Sequence, residues 1–251
     1  MTKKKENEVA VKEKSEVSTD VQVSSGSFSA DVDASDIIIP KVLLMQAISQ
    51  LVEAEKAKQG DFVHSLDENI IGAKEDKPVE FITLGMYKTL QTYENNKYVK
   101  TESLTPENAA LPYEEIKGGV TINRSKTMNY YVIRPEDVEN MAVFPMVITF
   151  KRTSLKGGKK LATKLMMLEE FGAEIYAKTF KLIARQEEGE KGKYYVMDIV
   201  DGRKSNDVEL KQALKWTTRL KTDDAKVHEA DEEAANTTQS SAPVGDSNIN
   251  F

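Results

Sequence analysis

Six basic side chains, Lys151, Arg152, Lys156, Lys159, Lys160 and Lys164, follow one another with no acid between them. They extend an alternating apolar run, Phe144, Met146, Ile148 and Phe150, and Gly157-Gly158 falls in their midst. The spacing predicts a strand that delivers cations to one rim, beside a glycine pair where the backbone can approach a ligand closely. Positive charge this dense suits a polyanion. Elsewhere Tyr87, Tyr93, Tyr130, Tyr131 and Phe180 stand in strand-like stretches, with Lys181 and Arg185 close to the last of them. An aromatic ring stacks on any unpaired base, so rings interleaved with cations are what a single-stranded nucleic acid needs.

Catalytic chemistry finds no comparable pattern. The two histidines, His64 and His228, belong to no His–Ser–Asp or metal-ligand arrangement. Gly157-Gly158-Lys159-Lys160 lacks both the spacing and the hydroxyl of a phosphate loop. The carboxylate pairs Asp198/Asp201 and Glu169/Glu170 read as surface charge. No catalytic residue, metal ligand or cofactor is expected. With no cysteine in 251 residues, disulfides, thiolate metal sites and cysteine nucleophiles are excluded.

The net charge of −6 conceals an asymmetry. Residues 144–221 carry a net of +7, while residues 222–251, directly after them, carry −6. No apolar run reaches the roughly 18 residues of a membrane span, and no apolar stretch follows the first lysines as in a secretory signal. A cytoplasmic protein that meets no membrane is the expectation, and the lack of cysteine suits it.

The elements that must hold these residues follow from periodicity. Residues 1–35 are poor in apolar side chains and read as a disordered arm, residues 36–221 as the folded domain, and residues 222–251 as a disordered acidic tail. Pro40 followed by Val42, Leu43, Met45, Ile48, Leu51 and Val52 predicts a helix that ends near Gly60. Phe62–Leu66 and Ile70-Ile71 predict short strands. Val79–Tyr93 predicts a long one that turns at Asn95-Asn96 and returns over Lys97–Leu104. Residues 105–119 read as a loop, Val120–Ile133 as a pair of strands, and Pro135–Glu139 as a short helix or turn. Leu161, Leu165 and Leu168 predict a helix over about 159–170, with a hairpin at Gly157-Gly158 as the competing reading. Glu174–Arg185 and Lys193–Val200 form a hairpin, and Asp207–Leu220 a final helix with acid at its start and base at its end.

A β-rich body with cations near aromatics and an acidic tail ending in Phe251 resembles the single-stranded DNA-binding proteins of bacteriophages. The stretches Ile39–Gln46, Gly60–Val63 and Phe144–Lys151 with Thr153–Lys156 carry the likeness to a phage replication and recombination group. The resemblance implies a mainly β (β-rich α+β) fold, with a single OB-like antiparallel barrel, peripheral helices and disordered termini. It implies a protein that coats single-stranded DNA without strict sequence specificity during replication, recombination or repair. Asp246 and Phe251 of the tail would then recruit a polymerase, helicase or recombinase, and self-association is a further expectation. Other readings are a duplex-binding regulatory phage protein, an annealing recombinase or nuclease, and a virion structural protein.

Overall fold

The computed structural model describes residues 38–189 and 192–222, the side chains as far as 220. The arm 1–35 and the tail 222–251 expected from composition fall almost wholly outside these residues, as do Asp246 and Phe251.

Lys41–Leu44 forms strand β1, not the helix that Pro40 suggested, and only Gln50–Glu53 is helical (α1) in that stretch. The reason is non-local. β1 lies between two strands, antiparallel to β2 (Asp61–His64) and parallel to β8 (Met146–Lys151), and both edges of its backbone are paired. β3 (Ile70–Ala73) follows β2. The expected long strand is β4, Val79–Glu94, returning through left-handed Asn95 and Asn96 into β5, Lys97–Ser103.

Residues 105–119 contain the short helix α2 (Pro106–Ala109) and the four-residue strand β6 (Glu114–Lys117), where a loop was expected. Val120–Ile133 is one unbroken strand, β7, rather than two. After α3 (Pro135–Glu139) and β8, a 3-10 turn at Arg152–Ser154 opens helix α4, Leu155–Glu170. The hairpin β9 (Lys178–Gly189) and β10 (Gly192–Lys204) precedes α5, Asp207–Thr222. Asn206 and Glu209 cap α5 reciprocally: each side chain accepts from the other's backbone N–H, at 2.9 and 2.7 Å.

The strands form one mixed sheet in the order β10-β9-β4-β7-β8-β1-β2-β3, with β5 added to β4 and β6 to β7. The protein is mainly β with few helices, as expected. Among the described residues no ladder joins the two ends of the sheet, so a closed barrel is not formed by backbone pairing. The sheet nevertheless curls back on itself. Just beyond β1, the Gln46 side chain donates from Nε2 to the Tyr195 carbonyl at 2.8 Å and accepts from the Tyr195 N–H at 3.1 Å. A side-chain amide thus stands in for a strand against β10. Further along the same edge the Met197 N–H donates to Ser154 Oγ at 3.0 Å.

Inside the curl lie Phe62, Phe81, Tyr130, Ile148, Phe150, Phe180, Leu182 and Ile199, with Leu161 and Leu165 of α4 packed onto them. A second cluster, Ile82, Leu84, Ile133, Val138 and Ala213, seats α3 and α5. Gly157 and Gly158 turn out to serve this packing rather than a ligand. They lie in the first turns of α4, where a Cβ on Gly157 would stand 2.5 Å from the Met197 carbonyl oxygen and one on Gly158 2.8 Å from Phe150 Cβ.

Two stability predictions follow from the seam and the glycine pair. Gln46→Leu should lower the unfolding free energy by about 1–2 kcal/mol, because two backbone groups of Tyr195 lose their partners. Gly157→Ala gains roughly 1 kcal/mol of helix propensity but meets a backbone oxygen, a strain of about 1–3 kcal/mol, so a net loss is expected. Urea denaturation reads both; a raised midpoint for Gly157→Ala would contradict this packing.

Candidate functional site

A groove of about 640 Å³ lies over β1, the end of β8 and the 3-10 turn. Its cations are Lys41, Lys151 and Arg152, and Gln46, Ser49, Asn96, Thr149 and Ser154 add neutral polar groups. Tyr93 and Tyr195 form part of its wall, with Leu43, Leu44 and Met45 as apolar floor. One carboxylate, Glu68, also lines it, and Lys56 Nζ lies 3.3 Å from that group. His64, beside Asp67, is pushed below its ordinary pKa by burial and by the Arg134 guanidinium, with Asp137 acting the other way. Burial and Arg134 thus favour the neutral imidazole, and Lys41, Lys151 and Arg152 outnumber the one carboxylate of the groove.

Arg152 has an unusual backbone. Its φ of +50° lies in the left-handed region, which costs a branched or long residue roughly 1–2 kcal/mol. That conformation places the guanidinium 5.3 Å from the centroid of the Tyr93 ring, a cation–π contact. Tyr93 is held in turn by Tyr98, edge-on at 6.2 Å, and its hydroxyl donates to Gln91 Oε1 at 3.0 Å. Arg152 remains exposed, so its outer face is open to solvent.

Beneath the groove runs a polar ladder. Thr149 donates to Asn129 Oδ1 at 2.9 Å, Asn129 Nδ2 donates to Thr127 and Thr89 at 3.0 and 3.2 Å, and those two hydroxyls lie 2.6 Å apart. Thr89, Thr127 and Asn129 are buried, yet each is satisfied. The ladder fixes Thr149 with its proton directed inward, leaving acceptor lone pairs for the groove.

Of the residues expected from sequence, the groove gathers Tyr93, Lys151 and Arg152, but Tyr93 is buried, 7% exposed, beneath Arg152, so its own ring offers no open face to a base as expected. Several others stand elsewhere. Tyr130 and Phe180 are fully buried, so neither can take a base in this fold. Tyr130 packs edge-on against Phe150 at 5.7 Å and donates to the Gly158 carbonyl at 2.7 Å; burial pushes its hydroxyl up to about 12. Phe180 packs on Phe81 with centroids 6.1 Å apart. Tyr87 and Tyr131 stack on each other, centroids 5.1 Å apart, half-buried and outside the groove.

The remaining cations divide. Lys156 and Lys159 are exposed on α4. Lys181 is half-buried in β9, opposite Glu80 and Val200. Lys160 and Arg185 both reach Asp198, at 3.0 and 3.1 Å, and Lys164 reaches Asp201 at 2.7 Å together with Lys178 at 2.8 Å. These cations are engaged by carboxylates of the same chain. Hydrogen bonds from Lys164 and Lys178 hold Asp201 below the ordinary carboxylate range. Burial pushes Asp198 up, but its backbone bond to Ile199 and its contacts with Lys160 and Arg185 outweigh that and hold it below the ordinary carboxylate range as well.

Sequence reading missed Lys41, Gln46, Ser49, Asn96, Thr149 and Tyr195. Lys41 and Gln46 stand in the very stretch that carried the family likeness, but a helical reading scattered them around an axis. Among the described residues no cluster of three or more His, Asp or Glu could hold a metal ion, and no helix is long and apolar enough to cross a membrane.

Residues 5–226 match the family of Pam3 phage gp34-like proteins, and the chain belongs to that family of phage proteins. No curated protein and no solved structure matches it.

The paired carboxylates give a pH prediction. Asp201 should titrate below the ordinary 3.8, and the stability it contributes, complete above that pH, should be lost as pH falls through its folded value. NMR titration of the carboxyl carbon reads this; Lys164→Met should move the midpoint upward, and an unmoved midpoint would count against the pairing.

Proposed function

We propose that this phage protein binds single-stranded DNA in the groove between β1, β8 and the β4–β5 turn, without cutting it. The observation that carries the reading is Arg152, held over Tyr93 at 5.3 Å by a strained backbone beside Lys41 and Lys151. A planar guanidinium backed by a ring offers a surface on which a base can stack, while the half-buried Lys151 takes a phosphate and the buried Lys41 adds positive charge from beneath. Little in the groove is specific for one base. Binding would be tolerant of sequence and sensitive to salt, since each phosphate contact releases counterions.

The finer fold reading belongs to the same proposal. A curled, mostly antiparallel sheet with one parallel pair, α4 packed across its core and its last gap bridged by Gln46, supports an OB-type barrel with an incomplete ladder. The acidic residues 222–251, ending in Phe251, supply a sequence suited to recruiting a replication or recombination partner. The protein acts in the host cytoplasm in this reading.

Fluorescence anisotropy with a short poly-pyrimidine strand at two salt concentrations tests the proposal. Affinity should fall steeply with salt, and unlabelled duplex should compete poorly because stacking needs exposed bases. Lys151→Ala with Arg152→Ala should weaken binding on the order of tenfold, roughly 1.4 kcal/mol. Lys160→Ala with Lys164→Ala should leave it nearly unchanged, as those cations are already engaged. Absence of binding, or equal competition by duplex, would overturn the reading.

A further inference from the structure

β4 and β7 pair over most of their lengths, but their neighbours change along the way. Nearer the core their outer edges are taken by β9 and β8. Toward the other end β5 takes the outer edge of β4 and β6 the outer edge of β7. A four-stranded antiparallel unit results, in the order β5-β4-β7-β6. One row across it reads Lys97, Glu94, Ile122, Glu115, and the next Tyr98, Tyr93, Asn123, Glu114. Two tight turns side by side close the unit. Asn95 and Asn96 have φ of 48° and 65°, and Gly118 and Gly119 have 58° and 83°.

Among the described residues β5 pairs only with β4, and β6 only with β7. The two outer edges run in opposite directions, because β5 leaves the turns and β6 approaches them. A second copy shifted sideways, without inversion, therefore brings its β5 antiparallel to β6 of the first. The sheet then continues with the same alternation.

Charge selects among the possible edge pairings. β5 carries Lys97, Lys100 and Glu102, a net of +1, while β6 carries Glu114, Glu115 and Lys117, a net of −1. Lysines on an edge ordinarily discourage strand addition. Here they oppose β5 meeting β5, as the glutamates oppose β6 meeting β6, whereas β5 meeting β6 sets base beside acid. Within the chain Lys100 is 2.9 Å from Glu102 and Glu115 is 2.8 Å from Arg124. The charge added at the seam lies mainly between Lys97 and the two glutamates. Val99 and Ile116, 45% and 72% exposed, stand on these same edge strands and would lose water contact.

We propose that a second copy of this chain docks edge-on, its β5 adding to β6 of the first by strand addition. Continued across the existing rows, the register sets Lys97 of one copy opposite Glu115 of the next. The contact is head-to-tail, so it does not close on two subunits and can repeat along a line of copies. It does not depend on nucleic-acid binding.

The native chain has no cysteine, so introduced thiols report the contact cleanly. Opposed residues in an antiparallel pair lie about 4.5–5.5 Å apart at Cα, within disulfide reach. Full-length Lys97→Cys and Glu115→Cys chains are oxidised separately and mixed, without DNA, and the unmodified chain is followed by sedimentation over a concentration series. The expected result is a cross-linked dimer in the mixture, in large excess over either variant alone, with native mass rising above the monomer. Equal cross-linking of one variant with itself would mean a two-fold edge and overturn the proposal. A constant monomer mass without cross-links overturns it too, as does association that yields no mixed cross-link.

Discussion

Two hydrogen bonds between the Gln46 amide and the Tyr195 backbone, one donated by each, bridge the gap where the curled sheet runs out of ladder. They decide where the groove lies. Without them β10 would present a bare edge, and Tyr195 and Met197 would no longer share a wall with β1. Ser154 continues the same work one step along the edge by accepting from Met197. The two glycines of α4 complete it, since only a helix stripped of Cβ atoms can come this close to the Met197 carbonyl and the Phe150 ring. Side chains thus close what backbone pairing leaves open, and a polar groove remains at the join.

Electrostatics then separates two kinds of cation that look alike in sequence. Lys160, Lys164 and Arg185 sit opposite Asp198 and Asp201 on the outer side of β10. Surface pairs of this kind each stabilise a fold by about 0–1 kcal/mol, so their main effect is to lower the charge offered to a ligand. Arg152 instead rests on an aromatic ring, in a backbone conformation that costs energy. Strain of that sort is retained where surrounding structure enforces it, most often at sites that do something. The positive charge of residues 144–221 is therefore only in part a binding surface.

Much of the fold was legible because it is local. Alternation marked β4, β9 and β10, Asn95-Asn96 marked the first hairpin turn, and Leu161, Leu165 and Leu168 marked α4. β1 was misread because its strand conformation comes from β2 and β8, far away in sequence, one of them in parallel. The site was less legible. A period of two requires Tyr130 and Tyr131 to point to opposite faces, but it cannot say which face is covered; α4 covers that of Tyr130. Phe180 is hidden on the same interior face, in the cluster that holds Tyr130 and its cross-strand neighbour Phe81 of β4. The glycine pair gave a true signal of close approach, yet the approaching group was the protein's own strand.

The most direct check is hydrogen exchange with and without a saturating poly-pyrimidine strand. Protection should rise in residues 41–51 and 149–154, the two walls that meet at the seam, and stay level along the Lys160–Asp198 side of α4 and β10. Protection confined to that paired side, with the groove unchanged, would contradict it.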